Sequence, residues 1–257
     1  MNIGSIWDLI ILSPMINILV VVSKFLFHNL GLSIIAFTIV IRAALYPISR
    51  KQMVSTKKMQ DMQPKLAELQ KKYARDRQKL AQEQMALYKT AGISPLGCVV
   101  PMIIQLPIWM ALYQAIMRVL ATGPEQLLSL SRHLYSSWNQ VFALVPLNSH
   151  FLWINLGQAD PYFILPILVG ATMWVQQKMT TPTYADPQQQ SQTQMMLWMM
   201  PLLFMIMSVT FASGLALYWL ISNVISVVMQ YFISGWGPLG TMFQKKQPAN
   251  NKVPAKK

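Results

Sequence analysis

Charged residues are scarce in this 257-residue chain. Only 11% of its residues are Asp, Glu, Lys or Arg, whereas 54% are hydrophobic, and a soluble domain has about 25% charged residues. So few polar side chains cannot cover the surface of a water-exposed globule. The composition therefore argues against a soluble enzyme and against a disordered protein, and it favours a membrane protein.

Cysteine and histidine are also rare, with one Cys (Cys98) and three His in the chain. A single cysteine excludes an intramolecular disulfide and a cysteine-rich metal site. The sequence contains no G-x-x-x-x-G-K-[ST] phosphate loop, no H-E-x-x-H zinc motif and no G-x-S-x-G hydrolase motif. We therefore expect no enzymatic activity, no cofactor and no bound metal.

Acidic residues are the scarcer charged type, because 8 Asp and Glu oppose 21 Lys and Arg, which gives a net charge of +13. The basic excess lies in two blocks: residues 50–89 carry a net +7, and residues 245–257 carry +5. Residues 122–160 carry −1. Because cytoplasmic loops of membrane proteins are enriched in Lys and Arg, we predict that both basic blocks are cytoplasmic and that residues 122–160 lie outside.

Five long apolar segments can each cross a bilayer as a helix of roughly 17–25 residues. With the basic blocks inside, five spans place the N-terminus outside and the C-terminus in the cytoplasm. We therefore predict an all-α, polytopic membrane protein with an outer loop at 119–160, a cytoplasmic loop at 179–194 and a basic cytoplasmic tail at 236–257. The predicted spans lie at about residues 30–49, 96–118, 161–178, 195–212 and 215–235.

The N-terminal segment is apolar over residues 6–27 but is interrupted by Ser13, Pro14 and Asn17. It could be a sixth span, a signal peptide or an interfacial helix. A signal peptide needs a basic start, and a sixth span would leave almost no loop before Gly31. We therefore predict that residues 1–29 form an interfacial helix on the outer face.

The basic block is rich in Lys, Gln, Met and Glu, which favour helix. We predict a cytoplasmic helical hairpin over residues 50–94 with its turn near 75–77, rather than a solvated charged loop. An apolar stripe recurs every three or four residues at Met59, Met62, Leu66, Leu69 and Tyr73. The lysines that could contact a partner or lipid headgroups are Lys57, Lys58, Lys65, Lys71 and Lys72.

Arg42 lies inside the first predicted span. A cation at the bilayer centre costs roughly 2.5–3.5 kcal/mol on insertion scales. Arg42 either extends its side chain to the headgroups or faces a wet cavity between helices, and no predicted span holds an acidic residue to pair with it. Polar residues available to line such a cavity are Thr38, Gln105, Gln176, Gln177, Tyr218, Ser222, Asn223 and Gln230.

Several motifs, spread over nearly the whole chain, resemble the YidC/Oxa/Alb family of membrane protein insertases, in its short bacterial form. They occur in the family's order. They are Ile41-Arg42-Ala43-Ala44-Leu45-Tyr46-Pro47, Gly92-Ile93-Ser94-Pro95-Leu96-Gly97-Cys98, Asp160-Pro161-Tyr162-Phe163, and Gly214-Leu215-Ala216-Leu217-Tyr218-Trp219 followed by Ser222-Asn223.

This resemblance implies an insertase of the bacterial cell membrane, whose five helices enclose a hydrophilic groove open to the cytoplasm and to lipid. Arg42 matches the groove arginine, and Gln176 or Gln177 together with Trp219 match other groove-lining positions. The hairpin matches a mobile element that receives substrate. The implied partners are nascent membrane proteins, the ribosome through the tail or the hairpin, the Sec translocon and anionic lipids.

The alternative function is a small-solute transporter or channel that uses the same polar cavity. Transporters often contain internal repeats with broken helices, and the sequence shows no such repeat. A purely structural subunit would leave Arg42 unexplained. The insertase is therefore the favoured function, with or without the Sec translocon.

Cysteine labelling tests the predicted topology. In a chain whose own Cys98 is replaced by serine, single cysteines introduced at residues 122–158 should react with a membrane-impermeant maleimide from outside the cell, because this region lacks the positive charge of cytoplasmic loops. Labelling of these positions only from the cytoplasmic side would contradict the topology.

Overall fold

The structure is a computed structural model that describes residues 6–92, 99–120, 128, 130, 133–134, 147–182 and 187–243, with the side chains of all of these except 99–105 and 241–243. The predicted all-α fold is confirmed. Among the described residues, the only strands are the two-residue pair β1 (His150–Phe151) and β2 (Ile154–Asn155), which are antiparallel.

The described residues also form ten α-helices. A π-helical turn, Asp8–Leu12, leads directly into α1. The helices are α1 (Ser13–Phe25), α2 (Leu30–Ala44), α3 (Tyr46–Asp61), α4 (Gln63–Lys72), α5 (Arg77–Thr90), α6 (Val99–Val119), α7 (Ile164–Thr180), α8 (Pro187–Thr210), α9 (Ser213–Ser234) and α10 (Gly237–Phe243).

The number of membrane spans stays a prediction. By length and composition, three described helical segments can cross a membrane, namely Asp8–Phe25, Pro187–Thr210 and Ser213–Ser234. The bent pair formed by α2 and α3 would be a fourth. Helices also occur at the predicted second and third spans, as α6 and α7.

The first predicted span is shorter than expected, because α2 ends at Ala44 and the chain bends by 66° into α3. Pro47 accounts for the bend. Proline has no N–H and its ring clashes with the carbonyl four residues earlier, so a straight helix through Pro47 would be strained, whereas the first turn of a new helix accepts it. Arg42 therefore lies in the last turn of its helix, next to the bend.

The fourth predicted span starts earlier than expected, at Pro187 rather than near residue 195. Proline is favoured in the first turn of a helix, and the glutamines that follow are good helix formers. The first part of α8 is polar, so an apolar run in the sequence does not reveal where this helix begins. The predicted loop at 179–194 is correspondingly shorter, because α7 also continues to Thr180.

One end of the bundle is closed by hydrogen bonds between its loops and helix starts. We call it the sealed end, where α2 and α9 begin and α6 ends. Asn29 caps α2 and donates from Nδ2 to the carbonyl of His150 at 3.0 Å. Ser213, at the start of α9, donates from both N and Oγ to the carbonyl of Gln158 at 2.7 Å. Gly214 N donates to Leu156 O at 3.0 Å.

The N-terminal helix has both of its ends at the sealed end. Its first residues contact the last two turns of α6, through Trp7 Nε1 to Gln114 Oε1 at 3.2 Å and Asp8 Oδ1 to Arg118 Nη1 at 3.8 Å. Its last residue leads into α2 through a turn with positive φ at Phe27 and His28. Eighteen helical residues span about 27 Å. If this helix ran parallel to the other helices, its first and last residues would therefore lie at opposite ends of the bundle. The interfacial position stays a prediction, because the same segment is long and apolar enough to cross a membrane.

A substitution at Gly31 tests how tightly the sealed end is packed. A Cβ on residue 31 would overlap the ring atoms Cγ and Cδ2 of Phe151 and would lie 2.7 Å from its Cβ, closer than real side chains approach. Gly31→Ala should therefore force β1 away from α2 and destabilise the fold by about 1–3 kcal/mol. The measurement is thermal unfolding in detergent, which should show a lower midpoint. Adding Phe151→Ala should recover part of the loss, and an unchanged midpoint for Gly31→Ala would contradict the packing.

Candidate functional site

The main apolar cluster occupies the half of the bundle next to the sealed end, and a few apolar residues, such as Met179 and Leu239, are buried at the other end. On α9, the buried residues change from apolar to polar along the helix: Leu215 to Trp219 are buried near its start, whereas the buried positions after Trp219 are Ser222, Ser226 and Gln230. The other core residues include Leu30, Ile34 and Phe37 on α2, Leu112 and Ile116 on α6, and Leu165 and Val169 on α7. The half near the α2–α3 bend, the hairpin half, therefore has a polar interior.

Several buried polar atoms of this half have no hydrogen-bond partner among the described protein groups. They are Ser222 Oγ, Gln230 Oε1, Gln177 Oε1 and Trp174 Nε1. An unsatisfied polar group in hydrocarbon costs several kcal/mol, and water in a polar cavity commonly satisfies such groups. We therefore expect water to reach these atoms in the hairpin half.

Arg42 is half-buried and lines a cavity of about 370 Å³ between the end of α2 and α9. No carboxylate lies within 4 Å of its guanidinium in the part of the chain that the structure describes. Its electrostatic neighbour is the buried phenol of Tyr218. The remaining lining residues are Ile39, Ala43, Tyr46, Ile225 and Met229. The wall beside Arg42 is thus more apolar than the sequence analysis expected.

The other predicted cavity residues lie at several places in the bundle. Thr38 is fully buried, and its hydroxyl donates to the carbonyl of Ile34 within α2 at 2.6 Å. Tyr218 and Ser222 share one face of α9 by their four-residue spacing. Asn223 donates to Thr172 Oγ1 on α7 at 3.4 Å. The side chain of Gln105 lies outside the described residues.

The two glutamines of α7 differ in their surroundings. Gln177 donates from Nε2 to Met196 O on α8 at 3.3 Å, and its Oε1 is buried without a partner. Gln176 is partly buried. Gln177 therefore belongs to the group of buried polar atoms in the hairpin half. Ser222, Ser226 and Gln230 recur every four residues and form a polar stripe on α9, and Ser226 is the member of it that was not predicted as a cavity residue.

Trp219 lies at the boundary between the two halves, in an aromatic cluster. It is 7% exposed, and its ring centroid is 5.3 Å from that of Trp109, 5.1 Å from Phe204 and 6.3 Å from Phe211. Aromatic pairs at these separations attract one another. Trp219 therefore joins α6 and α8 to α9, and the apolar core ends at this level.

The predicted helical hairpin is present, with α4 and α5 joined by residues 73–76 and Asp76 capping α5. Its base contacts the far ends of the bundle helices. Gln60 Nε2 donates to Met179 O at 3.2 Å and to Thr180 O at 2.7 Å on α7. Lys57 donates to Ile233 O on α9 at 3.2 Å. The other predicted hairpin lysines are exposed, namely Lys58, Lys65, Lys71 and Lys72.

A second cavity, of about 240 Å³, lies between the hairpin and the start of α8. Gln70 Nε2 donates to Gln189 Oε1 across it at 3.3 Å. Burial raises the pKa of Tyr88, so its hydroxyl stays protonated and the wall is uncharged. The residues that line this second cavity are Gln63, Leu66, Gln70, Gln84, Tyr88, Gln189, Gln192 and Thr193. Among the described residues, the hairpin thus meets α8 through neutral amide groups.

Comparison with known proteins places these features in one family. The profile of the 60Kd inner membrane protein family matches residues 21–237. The chain is 41% identical over 215 residues to the membrane protein insertase YidC of Syntrophus aciditrophicus (strain SB), covering 82% of this chain and 34% of that protein. The chain thus spans about a third of the length of the first curated relatives it matches.

Shorter relatives match over most of their length. The chain is 36% identical over 234 residues to the membrane protein insertase YidC 2 of Bacillus anthracis, covering 90% of this chain and 82% of that protein. It is 36% identical over 233 residues to the insertase MisCA of Bacillus subtilis (strain 168), covering 89% and 79%. An active YidC insertase crystal structure matches with a TM-score of 0.55 and 26% identity, covering 81% of this chain and 43% of that one.

Thiol reactivity tests whether water enters the hairpin half. Maleimides react with the thiolate, which forms only where water is present, so Ser222→Cys and Ser226→Cys should label about tenfold faster than matched lipid-facing controls. Suitable controls on the same helix are Val224→Cys and Val228→Cys, which are 42% and 48% exposed on its outer surface. The measurement is the labelling rate in intact membranes with Cys98 replaced by serine. Equal rates at all four positions would contradict a wet interior.

Proposed function

Because the chain belongs to the 60Kd inner membrane protein family, the family of the YidC membrane protein insertases, we propose that it inserts newly made membrane proteins into the bacterial cell membrane. It is a multi-pass membrane protein of bacterial type. Its substrates would be nascent membrane proteins with short polar tails or loops. The observation that supports this proposal best is the row of buried polar side chains on α9, Ser222, Ser226 and Gln230, together with the half-buried Arg42 on α2, which no described carboxylate pairs.

We propose that the sealed end faces outside and that the hairpin half faces the cytoplasm. The basic charge of residues 50–89 supports this orientation. A polar tail crossing the membrane must otherwise pass about 30 Å of hydrocarbon. A wet groove in the cytoplasmic half would shorten this dry path, while the hydrogen-bonded sealed end would keep the membrane closed to ions and solutes.

Arg42 would provide a transient attraction for acidic residues in the translocated tail. Two opposite charges 4 Å apart attract by about 4 kcal/mol at an effective dielectric constant of 20, against about 1 kcal/mol in bulk water. The attraction is therefore stronger in a half-buried cavity than in the cytoplasm. It is available because no described carboxylate already pairs with Arg42.

Release of the substrate would need no nucleotide. A substrate helix that leaves the groove sideways buries its apolar side chains in lipid, and this burial contributes roughly 25 cal/mol per Å². Binding in the groove would therefore have to be weak enough for the bilayer to compete. A groove with one cation and several neutral polar groups meets this requirement.

Further partners belong to the same proposal. The exposed lysines of the hairpin could contact ribosomal RNA, since Lys neutralises phosphate. The same lysines could contact anionic lipids. The Sec translocon is a third proposed partner, and the family also suggests insertion without it. The basic residues beyond 243 lie outside the described structure, and their proposed role in ribosome binding rests on their charge alone.

Replacement of Arg42 tests its proposed role in insertion. Arg42→Ala should slow the insertion of substrates with acidic translocated tails by about tenfold, which corresponds to a loss of roughly 1.4 kcal/mol of attraction. Arg42→Lys should keep most of the activity, because the role depends on charge. The measurement is protease protection of the translocated tail in membrane vesicles, with several substrates that differ in tail charge.

Arg50→Ala is the matched control, because Arg50 is an exposed basic residue on α3, beyond the bend. It should insert the same substrates at the wild-type rate. Normal insertion of acidic tails by Arg42→Ala would contradict the proposed role. The guanidinium of Arg42 would then only extend to the lipid headgroups, and the groove would lack its main electrostatic attraction for the substrate.

A further inference from the structure

The cavity beside Arg42 has an unusual combination of walls. Arg42 provides a cation on one side, and Tyr46 provides a phenol that is 44% exposed at the α2–α3 bend. Ile39 on α2 and Ile225 and Met229 on α9 form the apolar walls. The cavity therefore joins one positive charge and one hydroxyl to a hydrocarbon surface.

This combination selects an amphiphilic, anionic ligand. A small water-soluble anion would leave the apolar walls of Ile39, Ile225 and Met229 in contact with water, which apolar burial disfavours. A neutral lipid would leave the charge of Arg42 unbalanced, and no described carboxylate balances it from within 4 Å. A molecule with an anionic head and an apolar chain satisfies both parts of the wall.

The cavity, of about 370 Å³, is open on one side. A phosphate headgroup and the upper part of one acyl chain can occupy it, while the rest of the lipid remains in the bilayer.

We propose that this cavity binds one anionic phospholipid, with its phosphate at the Arg42 guanidinium and one acyl chain along Ile39, Ile225 and Met229. The basic residues at the start and middle of α3, Arg50, Lys51 and Lys57, attract anionic headgroups to this level of the protein. The lipid would occupy the position that a substrate carboxylate later takes. The site does not depend on the proposed insertase activity, because it follows from the walls of the cavity.

Native mass spectrometry of the full-length protein tests the site. The purified protein would be mixed with equal amounts of phosphatidylglycerol and phosphatidylcholine, and the lipid retained after mild activation would be counted. The wild type should retain one phosphatidylglycerol in about tenfold preference over phosphatidylcholine. Arg42→Gln should lose the preference, and Ile225→Trp, which fills the cavity and keeps the charge, should lose the retained lipid.

Two control variants leave the cavity intact. Lys24→Gln removes an exposed cation at the end of α1, away from the cavity, and Ile206→Trp enlarges an exposed apolar residue on α8, which does not line the cavity. Both should retain phosphatidylglycerol as the wild type does. Glycerol phosphate, which has the head but no chain, should not displace the lipid at millimolar concentration.

Three results would overturn the proposal. The first is equal retention of the two lipids by the wild type, a measurement that needs no variant to fold. The second is unchanged phosphatidylglycerol retention in Arg42→Gln or in Ile225→Trp. The third is displacement by glycerol phosphate, which would show that the site binds phosphate alone and that the apolar walls play no part. Normal insertion activity combined with any of these results would leave the proposed function in place.

Discussion

The structure depends on the fact that a bilayer interior offers no hydrogen bonds to polar groups. Near the sealed end, the protein itself supplies them: buried Asp160 accepts from the backbone N of Tyr162 at 3.1 Å and of Leu165 at 2.7 Å. In the hairpin half, Ser222 Oγ and Gln230 Oε1 have no such partner in the described chain. Trp109 Nε1, in the aromatic cluster at the boundary, is also buried without a partner in the described chain. The loops and helix starts of the sealed end are thus joined by hydrogen bonds within the protein, whereas several buried polar atoms from the level of Trp219 to the hairpin are not.

This asymmetry explains how the hairpin and the cavity fit together. The hairpin contacts the bundle through Gln60 and Lys57, which bond to backbone carbonyls at the ends of α7 and α9. A few hydrogen bonds and a neutral glutamine contact with α8 can be exchanged for water at little cost. The hairpin therefore contacts the bundle mainly through hydrogen bonds, and Met62 and Leu66 are its buried apolar residues among the described positions.

The helices could be predicted because they depend on strong local signals, and the same signals single out Arg42, whose role stays a prediction. Long apolar runs, the unequal distribution of basic residues and the one cation inside a predicted span can be recognised from this sequence without an alignment. The bend at Leu45 was missed because Pro47 can sit in the first turn of a new helix as well as end an old one. The apolar lining next to Arg42 was missed because it depends on how α2 and α9 face each other, which sequence spacing does not determine.

The central claim is that a translocating segment enters the polar half of the bundle and not the sealed half. Site-specific photocrosslinking to a nascent membrane protein on a stalled ribosome tests it directly. A photoreactive residue at position 226 or 230 on α9 should crosslink to the polar tail of the nascent chain, whereas one at position 215, near the sealed end, should not. Equal crosslinking at 215 and 226, or none at 226 and 230, would contradict the account.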